Sequence, residues 1–450
     1  MLVKIPRYRG RLFIGLLSVL GPAVSSVKSA ARPNIVLILA DDLGMGDLGC
    51  YGATDIASPQ IDRIAAEGMR FDRNYAYPVC TPSRASIMTG RLAENLGITS
   101  ALMGDGGLEP HTPTVAQRLR ATGYRTGLIG KWHLGYSPDR GPNQLGFERF
   151  FGFRGGKIDY FLHRDSAQRD ESGSPLGKHD LWSDEVEVHH DGEYATELFT
   201  KEAVEFILRN DSDERPFFLV LAYNAPHYAR PGVLQAPAEY IARFAVDPTQ
   251  PTPRETYRAM VACMDDGVGE VRAALRQVGA DENTLLIFAS DNGADSNSGG
   301  SNGTFRGGKW TVYEGGIRVP MVARWPGHIP AGTRSEAVLH CADLAPTLLR
   351  AAGVGEVHDG DFDGVDALSA WLDPAVATPS RRLSFAFRGL QAVIDGPWKQ
   401  ISPADAEARG ESMLYDLARD PGESADVSAE HPEIAAALSK QAQPNTSIQH

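Results

Sequence analysis

The sequence predicts an α/β protein with a large mixed, mostly parallel sheet flanked by helices and a small C-terminal antiparallel sheet. Continuous apolar runs that stop abruptly at polar residues are typical of buried parallel strands. Helix signals lie between these runs, as in a doubly wound sheet. After about residue 380 the runs become shorter and alternate between apolar and polar side chains, which predicts the antiparallel sheet.

Four apolar runs are the predicted parallel strands. None of them contains a charged residue, and each is followed by a polar segment. They are residues 34–40, 126–130, 216–222 and 284–289. Because ligands of such sheets gather at the carboxyl ends of the strands, we expect the polar segments to converge there.

Three helix signals separate these runs. In residues 58–68 and 112–123, a Ser-Pro or Thr-Pro pair should open the helix with its hydroxyl as the cap, and a glycine should close it. A third helix is predicted from Thr196 to about Arg209. The C-terminal part should contain strands at 383–387, 391–394, 398–401 and 414–417 and a last helix near 432–441.

The N-terminal residues have the pattern of an export signal. A basic start precedes an apolar run from Leu12 to Leu20, and small residues that suit cleavage follow between about Ser25 and Ala31. The alternative is a membrane anchor, but the run is shorter than the roughly 20 apolar residues of a membrane span. We therefore expect export to the periplasm or secretion, with no stable membrane span.

Length and composition set the domain organisation and exclude some partners. Of 450 residues, 42% are hydrophobic and 22% are charged, which are ordinary globular values. We expect residues 1–30 to be the signal peptide, 31–380 the main domain and 381–450 a small C-terminal subdomain. The net charge of −13 argues against nucleic acid as a partner. The four cysteines form no CxxC pair, so they suggest neither zinc ligation nor a disulfide framework.

Acidic residues follow two of the predicted strands and form a candidate metal site. If the strand ends converge, Asp41, Asp42 and Asp291 bring three carboxylates together, and Asn292 adds a neutral oxygen. Each like-charge pair at about 4 Å costs roughly 4 kcal/mol at an effective dielectric near 20, so a divalent cation is expected. All-oxygen ligands indicate calcium, with magnesium possible. The alternative is that Asp41 and Asp42 only cap a turn.

A second motif places a cysteine beside a helix N-terminus. In residues 80–91, CTPSRASIMTGR, Thr81 can cap the helix, Pro82 suits its first position and Gly90 suits its end. Such a terminus attracts anions, and Arg84 lies about one turn along the same helix. The motif therefore indicates an oxyanion site with a reactive sulfur at Cys80. The alternative is a buried structural cysteine.

This second motif resembles the signature of the type I sulfatases of the alkaline phosphatase superfamily, C-x-P-x-R with a T-G-R continuation. Similar counterparts occur in order over most of the chain, at residues 33–47, 130–135, 225–227 and 290–293. The resemblance implies that 31–380 is a sulfatase catalytic domain. It also implies that Cys80 is oxidised to formylglycine by a formylglycine-generating or sulfatase-maturating enzyme.

The resemblance also implies a role for each site residue. Asp41, Asp42, Asp291 and Asn292 would bind the metal, and the modified Cys80 would complete that site. Arg84 and Lys131 would hold the formylglycine, His133 would assist turnover, and His227 and Lys309 would contact the sulfate. Lys131 and His133 are two positions apart, so in an extended backbone they should share one face.

The mechanism that follows from the resemblance is sulfate ester hydrolysis. One hydroxyl of the hydrated aldehyde attacks sulfur, and His227 or Lys309 protonates the leaving alcohol. His133 then helps the second hydroxyl to release sulfate.

The region of residues 155–160 leaves one further sulfate contact unassigned. Gly156 has no side chain to supply it, while Lys157 has a charged one. The histidine-rich stretch 160–190 shapes the substrate pocket or is an ordinary surface insertion.

The substrate class and two rival functions remain open at this point. Sulfated sugars are the favoured substrates, and the negative net charge favours short or end-bound ones over long polyanions. One rival is a phosphodiester or phosphonate hydrolase of the same superfamily. The other is a catalytically silent sulfoglycan-binding protein, which would follow if Cys80 remained a thiol.

Overall fold

A ten-stranded mixed sheet is the centre of the computed structural model. The structure describes residues 1–4, 6, 10, 32–102, 106–168, 176–209, 215–354, 360–404 and 411–439. Most of the predicted signal peptide, including residues 11–31, lies outside the described residues, as do the last positions of the predicted C-terminal helix. The described residues from 32 onward belong to one compact unit. The predicted domain boundary after residue 380 stays a prediction.

The strands are numbered in chain order. They are β1 (Asn34–Ala40), β2 (Met69–Phe71), β3 (Asn74–Tyr75), β4 (Arg125–Lys131), β5 (Arg149–Phe153), β6 (Arg164–Asp165), β7 (Lys178–His179), β8 (Trp182–Ser183), β9 (Val186–Glu187), β10 (Phe217–Ala222), β11 (Thr284–Ser290), β12 (Met321–Arg324), β13 (Thr333–Ser335), β14 (Leu339–His340), β15 (Arg382–Phe387), β16 (Leu390–Asp395), β17 (Trp398–Pro403) and β18 (Met413–Asp416). The order in the large sheet is β13-β2-β12-β11-β1-β10-β4-β5-β8-β9.

The four predicted parallel strands are adjacent at the centre of this sheet. β11, β1, β10, β4 and β5 run parallel, while β12 and β8 pair antiparallel at either side of them. In β1, Ile35, Leu37 and Leu39 pack into one hydrophobic core and Val36 and Ile38 into another on the opposite face. Burial on both faces is the reason that these strands are continuously apolar. The predicted fold class is confirmed.

Helices cover both faces of the sheet. They are α1 (Pro59–Ala66), α2 (Cys80–Thr89), α3 (Val115–Ala121), α4 (Ala195–Leu208), α5 (Ala238–Phe244), α6 (Pro253–Gln277), α7 (Glu314–Ile317), α8 (Leu344–Ala351), α9 (Leu368–Leu372) and α10 (Pro432–Ser439). Among the described residues, no helix is both long and apolar enough to cross a membrane.

The predicted helices are present, but two of the predicted caps are wrong. Ser58 does not cap α1, because its Oγ accepts from Gly49 N and donates to Asp62. The first amides of α1 instead donate to Asp265, a residue of α6. α3 begins later than predicted and is capped by Thr114, whose side chain accepts a hydrogen bond from the amide of Gln117.

The predicted C-terminal antiparallel sheet is β15-β16-β17-β18. A buried charge cluster links it to α7. Lys399 Nζ on β17 lies 2.9 Å from Glu314 and 2.8 Å from Glu423, and all three side chains are fully buried. Arg306 adds a 2.9 Å hydrogen bond to the hydroxyl of Tyr415. The small sheet therefore supports the loop of residues 306–314.

Candidate active site

The carboxyl ends of adjacent strands bring the predicted acids together. Asp41 and Asp42 follow β1, and Asp291 and Asn292 follow β11. The amide of Asp291 donates to the carbonyl of Ala40 at 3.2 Å, and the amide of Asp42 lies 3.4 Å from Asp291 Oδ1. The convergence expected from the strand pattern is thus observed.

Each carboxylate of the acidic cluster has a cationic partner. Lys131 Nζ lies 2.6 Å from Asp41, Lys309 Nζ lies 2.8 Å from Asp42, and the Arg84 guanidinium lies 2.8 Å from Asp291. All these side chains are buried. Only repulsion between the acids was expected from the sequence. In the structure, three basic side chains offset the charge of the three carboxylates.

Burial and mutual repulsion change the pKa values of these acids. Burial raises the pKa of Asp42 to about 7 against the effect of Lys309, and the charge of Asp41 adds to the rise. Burial and Asp41 also raise the pKa of Asp291 to about 7. For Asp41 itself, the effect of burial is outweighed by Lys131 and other nearby bases, which hold its pKa well below the usual range.

Two oxygens of this cluster lack hydrogen-bond partners, which bears on whether a metal ion fits there. Asp41 Oδ1 and Asn292 Oδ1 are buried and make no hydrogen bond. The amide nitrogen of Asn292 donates to Asp42 and to the carbonyl of Gly293, so the geometry assigns the unpaired atom as oxygen. Buried oxygens without partners are costly unless a cation binds them. The donor set is therefore suited to a hard divalent cation.

Cys80 is the first residue of α2. Val79 occupies the N-cap, and Gly90 ends the helix with a left-handed φ of 69°. The predicted placement beside a helix N-terminus is correct, but the predicted capping role of Thr81 is wrong. Thr81 Oγ1 instead accepts from the amide of Leu102 and lies 3.2 Å from His133 Nδ1.

His133 lies directly against Cys80. Its Nδ1 is 3.2 Å from Cys80 Sγ, and its Nε2 is 3.4 Å from the carbonyl of Leu102. The predicted extended backbone at Lys131 and His133 is wrong at His133, where φ is 56°. This left-handed turn directs His133 to Cys80, while Lys131 contacts Asp41.

His227 and Lys309 meet at Asp42 from separate segments. His227 Nε2 lies 3.6 Å from Asp42, and its Nδ1 is 2.7 Å from the carbonyl of Tyr228. Burial and the charge of Lys309 lower the pKa of His227 well below its usual value. The amide of Trp310 donates to the carbonyl of Pro78, which joins the Lys309 loop to the Cys80 segment.

A cavity of about 170 Å³ opens onto these groups. Cys80, His133, His227, Lys309 and Lys157 line it. Wider surface hollows around Arg324 and Asp55 are lined by neither Cys80 nor the strand-end acids.

Gly156 also lines the cavity, and it leaves the space that His133 occupies. A Cβ at position 156 would lie 2.7 Å from His133 Nε2. A side chain at position 156 would therefore collide with the imidazole of His133.

The structure brings all the predicted site residues to this edge of the sheet. They are Asp41, Asp42, Cys80, Arg84, Lys131, His133, His227, Asp291, Asn292 and Lys309. Tyr136, Tyr228 and Trp310 also line the cavity and were not predicted from the sequence, whereas Asp165 lies in the stretch 160–190, for which a place at the pocket was one of two expectations. Tyr228 and Trp310 directly follow predicted site residues, and this adjacency is the signal that could have found them. Tyr136 and Asp165 are hydrogen-bonded to each other across 29 positions, and no local pattern indicates that contact.

Comparisons with known proteins indicate a single family. The sequence profile described as Sulfatase matches residues 33–354. N-acetylgalactosamine-6-sulfatase of Canis lupus familiaris is 36% identical over 411 residues, 85% of this chain and 74% of that protein. Arylsulfatase A of Homo sapiens is 34% identical over 91% of this chain and 87% of that protein. The crystal structure of Ps i-CgsB in complex with k-i-k-neocarrahexaose has a TM-score of 0.82 at 32% identity, covering 91% of this chain and 93% of that one.

Proposed function

The chain belongs to the sulfatase family and hydrolyses sulfate esters, and from this premise we propose that Cys80, converted to formylglycine, is its nucleophile. The observation that carries the proposal is the setting of Cys80. Its sulfur lies in the cavity at the first position of α2, 3.2 Å from His133 Nδ1. The helix N-terminus favours negative charge at this point.

Hydrated formylglycine supplies two hydroxyls on one carbon, one to attack sulfur and one whose deprotonation releases sulfate. Arg84 and Lys131 are the residues proposed to hold it. Arg84 lies one turn along the same helix and donates to the carbonyl of Lys131 at 3.1 Å. Both side chains are buried, so their positions are fixed before the substrate binds.

His133 is suited to accept a proton at Nδ1. The carbonyl of Leu102 can only accept a hydrogen bond, so His133 Nε2 carries the hydrogen and Nδ1 presents its lone pair to Cys80. Burial lowers the pKa of His133 well below its usual value, and Lys131 adds to this effect. A neutral imidazole with this tautomer is a base at residue 80.

Lys309 is better suited than His227 to protonate the leaving alcohol. The carbonyl of Tyr228 accepts from His227 Nδ1, so a neutral His227 has no proton at Nε2. Burial acts to lower the pKa of Lys309, but Asp42 outweighs it, and the net change is a rise. Lys309 therefore has a proton to share, and His227 accepts a hydrogen bond or orients the sulfate.

The metal proposed for the acidic cluster is Ca²⁺, with Mg²⁺ as the alternative. Asp41, Asp42, Asp291 and Asn292 would hold it, and the modified Cys80 would complete the site. A bound divalent cation stabilises the negative charge of the transferring group. It would also shift the balance of three acids and three bases toward positive charge, which suits an anionic substrate.

The proposed substrates are sulfated carbohydrates bound by a chain end. N-acetylgalactosamine-6-sulfatase and a structure in complex with k-i-k-neocarrahexaose are among the relatives, which supports sugars. The cavity is smaller than the 300–1,000 Å³ of a usual ligand pocket, which favours one sulfated unit over a long segment. Lys157 at the cavity wall is the proposed additional sulfate contact.

Maturation and export complete the proposal. Conversion of Cys80 requires a formylglycine-generating or sulfatase-maturating enzyme as a partner. The signal pattern of residues 1–30 supports export to the periplasm or outside the cell.

Turnover with matched esters tests the reaction class. We expect aryl sulfates to be hydrolysed far faster than the corresponding phosphodiesters and phosphonates, and Cys80→Ala to abolish the sulfatase rate. Faster turnover of the phosphodiester would support the superfamily rival instead. Binding of sulfated oligosaccharides without any turnover, in natively exported protein whose Cys80 remains a thiol, would support a silent binding protein.

A further inference from the structure

A cluster of histidines lies beside the proposed active site and takes no part in it. His163 directly precedes β6, and His179 ends β7, its hairpin partner. His189 and Asp191 follow β9, in the segment that leads to α4. Ligand atoms of His163, His179 and Asp191 all lie within 4.8 Å of one another, and those of His179, His189 and Glu187 do so as well.

His163 is the most unusual member of the cluster. Its side chain has no solvent exposure, and neither ring nitrogen makes a hydrogen bond of good geometry, although the backbone of Glu193 offers one of them a weak polar contact. Its φ of 51° is left-handed, a conformation that costs free energy at a non-glycine residue. A buried polar atom without a partner is destabilising, so the other ring nitrogen requires an explanation such as a bound ligand.

His179 is arranged as a metal-binding histidine. Its Nδ1 lies 2.9 Å from Glu187 Oε1, and its Nε2 is buried and makes no hydrogen bond. A carboxylate accepts the hydrogen of Nδ1, which leaves the lone pair of Nε2 free. Metal-binding histidines commonly donate their other ring nitrogen to a carboxylate in this manner.

The donor chemistry differs from that of the acidic cluster. Two imidazole nitrogens and one carboxylate oxygen suit zinc and similar transition metals, whereas calcium prefers oxygen. Burial, with a smaller contribution from His179, lowers the pKa of His163 to about 4, and the neutral imidazole is the form that binds metals. Bonds to zinc are about 2.0–2.1 Å, so the ligand atoms must approach one another by roughly 1 Å, and the exposed Asp191 can move.

We propose that His163, His179 and Asp191 form a zinc site, with Glu187 orienting His179. The ring of His189 lies 4.2 Å from the ring of His179, which makes it a candidate for a fourth ligand. The bound metal would join the β6–β7 hairpin to the segment before α4. Asp165, on β6, lines the catalytic cavity and is hydrogen-bonded to Tyr136. The zinc site thus supports one wall of the cavity and takes no part in the chemistry.

Metal analysis of the full chain tests this proposal. The protein, held in excess calcium to saturate the acidic cluster, is titrated with zinc chloride and, separately, with cobalt chloride. We expect one zinc per chain, a rise in melting temperature on binding, and the visible absorption of four-coordinate cobalt. Asp191→Ala should weaken zinc binding at least tenfold, and Glu187→Gln should weaken it by about 10–100-fold.

Controls separate the zinc site from adventitious binding and from misfolding. Asp191 and Glu187 are exposed, so these variants should remain folded without zinc. His111→Gln, at an exposed histidine outside the cluster, should bind zinc as the parent protein does. Zinc affinity that is the same in the parent, Asp191→Ala and Glu187→Gln proteins would overturn the proposal, as would a parent protein that binds no zinc.

Discussion

Nδ1 of His133 lies 3.2 Å from Sγ of Cys80, although 53 positions separate the two residues in the chain. The contact joins the end of β4 to the start of α2. It depends on the left-handed turn at His133 and on the absence of a side chain at Gly156. A base is thereby fixed at the atom that the proposed modification changes.

Removal of the His133 imidazole should slow the second half of the reaction, in which sulfate is released from the enzyme. In His133→Gln we expect the first equivalent of aryl alcohol to appear at close to the normal rate, followed by steady-state turnover that is roughly 10²–10⁴-fold slower. Rapid-mixing kinetics with an aryl sulfate measures both phases. His111→Gln is the matched control and should behave as the parent. Equal slowing of both phases would contradict the role given to His133.

The effect of replacing Lys309, the proposed general acid, should depend on the leaving group of the ester. Lys309→Met should slow hydrolysis of a sugar sulfate at least tenfold more than hydrolysis of nitrophenyl sulfate, because nitrophenolate leaves without a proton. The measurement is kcat/KM for both esters in the variant and the parent. Lys201→Met removes an exposed lysine and serves as the control. The same loss for both esters would indicate that Lys309 only binds sulfate.

The acidic cluster should make activity depend on a divalent cation. Treatment with a chelator should abolish turnover, and calcium should restore it more effectively than magnesium. At a concentration 100 times the Kd, calcium should stabilise the fold by about 2.7 kcal/mol. Asp291→Asn should require more calcium for half-maximal activity, since it removes one charged ligand. Full activity after exhaustive chelation would show that the orphaned oxygens of Asp41 and Asn292 have another explanation.

The buried lysine between Glu314 and Glu423 should be essential for stability. Lys399→Met leaves Glu423 without its cation and Glu314 with Arg318 as its remaining cationic partner, and it should lower the free energy of unfolding by roughly 3–5 kcal/mol. Denaturant unfolding measures the loss. Lys201→Met should change stability by no more than about 0.5 kcal/mol. In the triple variant with Glu314→Gln and Glu423→Gln, part of the loss should be recovered, because both residues that lose Lys399 are then neutral, although Arg318 loses its contact with Glu314.

The strand ends could be predicted because strong local signals specify them. The apolar runs before Asp41 and Asp291 admit no amphipathic alternative, and parallel pairing then brings the acids that follow to one edge. Cys80 beside a helix N-terminus likewise followed from its Pro and Gly neighbours. These features depend on backbone periodicity and turn chemistry, which the sequence displays directly.

The remaining features depend on contacts that the sequence does not display. Asp265, 204 positions from Ile61, takes the capping role predicted for Ser58. Thr81 contacts His133 because α2 begins two residues earlier than predicted. The three bases that balance the acids come from segments far apart in the chain. The sequence therefore indicated the repulsion between the acids but not the cations that offset it. Tertiary packing determines each of these outcomes.

The mass of the peptide that contains Cys80 shows whether this residue is converted to formylglycine. Trypsin releases residues 74–84 after Arg73 and Arg84. In catalytically active protein exported by its own host, we expect an aldehyde in place of the thiol at position 80, in a fraction that rises in proportion to sulfatase activity. Full activity in protein whose Cys80 is entirely an unmodified thiol would contradict this expectation.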